Sequence, residues 1–142
     1  MSDNEISIRA IVKTVLEVQS PIEAELVDTY DPTMESHGIT SKGPSGFGGT
    51  HEMILLLPFV WEIVDAFFKE ASKQAMAELV KQLKDYLIRA VEGSAAREER
   101  AANAVSLIAT ALQAKGIEAQ QSRAVAVTVW KVLLESRSIL SL

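Results

Sequence analysis

The chain has 142 residues, 48 % of them hydrophobic and 23 % charged, with a formal net charge of −5. That apolar share suffices for a buried core and excludes wholesale disorder, and the length fits one domain over residues 1–142. The absence of cysteine excludes disulfides, thiolate catalysis and cysteine-based metal sites. The lack of any Lys/Arg cluster argues against a nucleic-acid partner and weakens attraction to anionic lipid.

Acidic groups are concentrated at the start, with eight acidic and three basic residues in 1–50 against four and six in 93–142. The opening residues, MSDNE, show no basic stretch leading into an apolar one. No secretory signal is expected, and a cytoplasmic location is the expectation.

Residues 5–19, EISIRAIVKTVLEVQ, carry two periods at once. Alternation places Ile6, Ile8, Ala10, Val12, Leu16 and Val18 on one side, with Ile11 and Val15 as exceptions. With so many β-branched residues, this predicts a half-buried strand. Its length calls for a bulge or bend. The helical period instead collects Ile8, Ile11, Val12, Val15 and Leu16, and stacks Arg9, Lys13 and Glu17 at i,i+4. The strand is the preferred reading. Next, Ser20 and Glu23 fit a capping box with Pro21 at the first helical position, which would start a short helix through Leu26 and Val27. The rival is a second strand, with Ile22, Ala24 and Leu26 inward, paired to the first as a hairpin.

Residues 28–50 hold five of the seven glycines and two of the four prolines, and read as a mobile Gly/Pro/Ser-rich loop. Loops of this length in compact domains usually carry function or move. Glycines 43, 46, 48 and 49 would let the backbone approach a phosphate. The phosphate-loop pattern nevertheless requires Gly-Lys before Ser or Thr, and here Gly49 precedes Thr50-His51. His37 and His51 flank the loop, near Asp28, Asp31, Glu35 and Glu52, without metal-ligand spacing. No serine lies in a GxSxG elbow. No catalytic residue, cofactor or metal is assigned, and the chain reads as a non-enzyme.

HEMILLL follows. Residues 52–57 read as a short buried strand, and Pro58 opens a helix where its missing N–H costs nothing. The rival is a helix capped by Thr50 and kinked at Pro58. From Pro58 to Val91 a seam of Val60, Val64, Phe67, Ala71, Ala75, Leu79, Leu83, Leu87 and Ala90 steps by three or four. An unbroken helix of that length would extend about 50 Å, against a radius of gyration near 15 Å for a compact chain of this size. Either the helix bends near residues 70–74 and covers its own core, or its overhang packs on another chain.

After Gly93, Ser94 can cap a helix with Ala101, Ala104, Val105, Ile108, Ala111 and Leu112 inward, ended by Gly116. A last helix, from about Glu118 to Ser136, has a wide apolar face of Val125, Ala126, Val129, Trp130, Val132, Leu133 and Leu134. Such a helix is normally covered on most sides.

The expected fold is α+β and mainly helical, with short N-terminal strands packed against three C-terminal helices; an all-α bundle is the alternative. The expected function is a non-enzymatic protein–protein interaction or assembly module. It would act through the 58–91 seam on a protein partner, self or other. Trp61, Val64, Phe67, Phe68, Leu79, Leu83, Leu87 and Trp130 are the candidate interface residues, since buried aromatics often anchor contacts. One alternative is a membrane-active effector using residues 53–68, a stretch short of the ~20 apolar residues of a span and interrupted by Glu62 and Asp65. Another is a ligand-binding or enzymatic domain built on the 28–52 loop.

Overall fold

Ile8, Ile11, Val12, Val15 and Leu16 are all buried on one side of a helix, α1 (Asp3–Gln19). The helical period therefore wins over the alternation that predicted a strand. A computed structural model describes residues 3–32, 56–69, 71, 73–89 and 94–140. Among these residues there is no strand, and 83 % are helical. The α+β expectation is thus corrected to an all-helical architecture, in line with the all-α alternative. The physical reason is the core. Packing five side chains at helical spacing against neighbouring helices buries them almost completely, whereas the strand pattern leaves Ile11 and Val15 on the wrong face.

Ser20 and Pro21 then break the chain and open α2 (Pro21–Ala24), followed by a 3-10 turn at Val27–Thr29. The second strand is absent here as well. The capping box does not form: the Ser20 side chain makes no capping bond. Glu23 is instead buried, at 5 % exposure, and its Oε1 accepts a hydrogen bond from the Leu57 backbone N–H at 2.9 Å. Leu57 is the first residue of α3 (Leu57–Phe68), so a carboxyl oxygen from α2 satisfies one of the amides that every helix start leaves unpaired. Pro58 sits at the second helical position and removes another of those donors. The predicted strand at 52–57 falls mostly outside the described residues, and its last residue, Leu57, is helical.

The long seam is broken. Lys69 turns extended (φ −145°, ψ 162°) after Phe68, and a new helix, α4 (Gln74–Arg89), starts five residues after Lys69. Of the two outcomes open to the seam, the chain takes the bend. The carbonyl of Arg89, at the end of α4, accepts from the Arg100 guanidinium at 2.6 Å, which ties α4 to α5 (Ser94–Ala114). Gly116 takes the left-handed conformation (φ 96°). Ile117 N–H bonds the Leu112 carbonyl at 3.2 Å and Gly116 N–H bonds Gln113 at 2.9 Å. This double bond is the Schellman arrangement that glycine permits, and it reverses the chain into α6 (Ala119–Glu135). The buried Ser122 hydroxyl donates to the Ile117 carbonyl and holds the turn.

Five helices close a circuit: α1 packs on α3, α3 on α4, α4 on α5, α5 on α6, and α6 back on α1. The core inside it includes Val12, Val60, Ile63, Val64, Leu83, Leu87, Ile108, Leu112, Val129 and Leu133. Gln19 and Thr128 join α1 to α6 by a 2.7 Å hydrogen bond.

Glu23→Ala should lower the unfolding free energy by about 1–3 kcal/mol, because the Leu57 N–H is left buried without an acceptor. Glu23→Gln keeps an acceptor oxygen and should lose less. Urea titration of both variants checks this, and an unchanged midpoint for Glu23→Ala would show that the contact carries no stability.

Candidate interaction surface

The eight residues expected at an interface lie inside the fold. Val64, Leu83 and Leu87 are fully buried; Trp61, Phe67, Leu79 and Trp130 nearly so; Phe68 is half-buried against the same core. Trp61 is held by its own chain. Its ring lies 5.1 Å from that of Tyr30, tilted by 57°, and the Arg9 guanidinium sits 4.9 Å from its centroid. Arg9 also donates to the carbonyls of Val27 and, at 2.9 Å, of Tyr30, and pairs with Glu5 at 3.3 Å. One side chain thus binds α1, the 3-10 turn and α3 together. The helical stacking of Arg9 and Lys13 noted in the sequence does place both cations on one flank; Arg9 keeps Glu5 as a local i,i+4 partner besides its tertiary ones, and Lys13 reaches Asp28 at 3.1 Å. Phe67 is covered by the Lys84 ammonium, 5.9 Å from its centroid. Trp130 Nε1 has no acceptor among the described residues.

The surface holds a different set. Ile6 is 52 % exposed, Val18 65 %, Ile22 73 % and Leu26 46 %. On α1, Ile6, Ala10, Thr14 and Val18 follow one another at steps of four and are all exposed, a row that turns by about 40° per step, from the side away from the buried face at Ile6 to its flank at Val18. Between the exposed Asp3 and Glu17 the other exposed positions are Asn4, Ile6, Ala10 and Thr14, with Glu5, Arg9 and Lys13 half-buried, and the Thr14 hydroxyl is turned back to the Ala10 carbonyl at 2.8 Å. Lys13, on the flank, is engaged with Asp28. Sequence reasoning missed this row as a surface. Its signal was present all the same: Ile6, Ala10 and Val18 are the apolar residues that suggested alternation and that the helical face cannot accommodate.

Two other features were weighed. A groove of about 370 Å³ runs between α4 and α5 over Phe59, Met76, Leu79, Leu107 and Ala111, with Lys73, Lys115, Glu62 and Glu78 around it. Its charges of both signs select no ligand class. No group of three or more His, Asp or Glu side chains is placed to hold a metal ion among the described residues. His37, His51 and most of the 28–52 loop lie outside the described residues.

No protein-family model, no curated protein and no solved structure matches the chain.

The two sets of residues should respond oppositely to substitution. Leu83→Ala should cost about 2–5 kcal/mol of stability, as for other buried leucines. Val18→Glu, on an exposed face, should stay within about 0.5 kcal/mol of the parent. Thermal melts compare the two, and a large loss for Val18→Glu would show that the row is packed rather than free.

Proposed function

We propose that the chain is a non-enzymatic protein-interaction module whose contact surface is the outward row of α1, continued by Ile22 and Leu26. The supporting observation is that four large aliphatic side chains within residues 6–26 are about half exposed or more, Ile6 and Val18 on α1 and Ile22 and Leu26 on the segment after it. Single exposed aliphatics are common on any protein; several within one short stretch of chain are the pattern that marks contact sites. The described seam residues expected at an interface are buried or half-buried in the chain's own core, which favours a contact surface on α1 over one on the seam.

The row sets the strength of the interaction. Covering half of an Ile, Leu or Val side chain contributes on the order of 1 kcal/mol. Four of them offset only part of the roughly 4–15 kcal/mol lost on association. A contact made through this row alone is therefore weak and reversible.

The membrane reading has less support. α3, the described part of the 53–68 stretch, has only twelve residues, about 18 Å of helix against a hydrocarbon core of roughly 30 Å. No helix among the described residues is long and apolar enough to cross a membrane.

The test is affinity capture from cells that express the chain. The parent and a Val18→Glu/Ile22→Glu variant with the same melting temperature serve as paired baits. A protein held by the parent and lost by the variant, whether foreign or another copy of the chain, is the expected result. Equal retention by both baits would sink the reading.

A further inference from the structure

We infer that residues 20–30 form a strap that opens as one unit while the helical bundle stays folded, and that Arg9 and Glu23 are its two latches. The strap carries Ile22 and Leu26, both exposed, so its state governs how these side chains are presented. A partner gripping them would hold the strap shut and fix the start of α3. That consequence rests on the contact-surface reading; the strap itself does not.

Three observations separate the strap from the bundle. The circuit of α1, α3, α4, α5 and α6 closes without it, and α2 and the 3-10 turn pack chiefly on α1. Of residues 21–30, only Glu23, Ala24 and Val27 are buried. The regular structure of the strap is one helix of four residues and a 3-10 turn of three, too short to persist in water without outside contacts. Few buried apolar residues and exposed backbone bonds mark the segments of a protein that open well below its global unfolding free energy.

The strap is held mainly by polar side chains. Toward one end, Glu23 Oε1 accepts from the Leu57 N–H of α3 at 2.9 Å. At the other, the Arg9 guanidinium of α1 donates to the carbonyls of Val27 and, at 2.9 Å, of Tyr30. Both latches are shielded from water, with the Arg9 side chain 15 % exposed and Glu23 5 %, where hydrogen bonds are stronger. The Lys13–Asp28 pair adds a third tie at 3.1 Å, but it is exposed and contributes little. The two latches share no bond. A strap that moves as one body couples them, so that loosening either one loosens the other.

Leu57 supplies the reading, because its N–H belongs to α3 while its acceptor belongs to the strap. The nearby Val60 N–H bonds the Leu56 carbonyl at 2.9 Å and reports the first turn of α3 itself. This control matters because Arg9 also lies over Trp61 of α3. The experiment is hydrogen exchange of the folded full chain at single amides by NMR, corrected for intrinsic rates. Parent, Arg9→Gln and Glu23→Ala are compared, with melting curves alongside. In the parent, the Ala24, Tyr30 and Leu57 amides should share one opening constant, at least about tenfold larger than that of Val60. Arg9→Gln should raise exchange at Leu57, which Arg9 does not touch, by about tenfold or more, and Glu23→Ala should do the same at Tyr30. Val60 should change much less in both. Leu57 exchanging together with Val60 in the parent, a Leu57 rate unmoved by Arg9→Gln, or a rise shared equally by Val60 would each overturn the strap. The parent comparison decides even where a variant folds poorly. None of these results touches the contact surface, which the paired baits test by themselves, and equal capture by both baits would leave the strap standing.

Discussion

The burial of α3 is the constraint on which the other helices depend. Eight of its twelve residues are buried, Val60, Ile63 and Val64 completely. A helix so enclosed cannot leave its first amides to water. Glu23, far away in sequence, reaches the Leu57 N–H and makes the buried start of the helix tenable. The same contact positions α2 and the end of α1 over α3, and Arg9 repeats the tie at the other flank by clamping the 3-10 turn and covering Trp61. Polar side chains of the first thirty residues thus act as fasteners between segments that are distant along the chain.

The break at Lys69 follows from the same enclosure. Continued straight, the helix begun at Leu57 would leave the bundle and expose its seam. Folding back after Lys69 lets Leu79, Leu83 and Leu87 enter the core that Val60, Val64 and Phe67 already occupy. Burying a leucine is worth roughly 1.5–3 kcal/mol, and three of them far outweigh the few backbone bonds that the break interrupts. The described part of the chain's most apolar stretch is consequently built into its core.

Part of what is left over lies on α1; Ile22, Leu26, Ile88, Val127 and Ile139 are exposed elsewhere. A helix with one neighbour on each side of its buried face needs an apolar stripe of limited width, and Ile8, Ile11, Val12, Val15 and Leu16 fill it. Ile6, Ala10 and Val18 exceed that need. Their exposure away from the buried residues is a feature that folding of the single chain does not explain. It is the physical basis for placing the contact surface there.

Some of this was legible in the residues alone. The helices of the C-terminal half follow from periodicity and from Gly116, since a 3.6-residue apolar repeat with a left-handed stop has one local solution. The ambiguity of residues 5–19 was also legible, because both a period of two and a period of 3.6 are written there. Local pattern had no means to choose between them: β-branched residues favour a strand, and only the presence of α3 and α6 beside the helical face makes burying Ile11 and Val15 worth more. Nor did spacing tell that Glu23 would leave its own helix to cap Leu57, or that Trp61, Leu83 and Trp130 would face inward rather than toward a partner. The sequence by itself determined that the chain has apolar residues enough for a core and more than one helix face. The tertiary structure decided which of those faces is hidden, because burial depends on where a helix finds its neighbours, and that is a property of the whole chain.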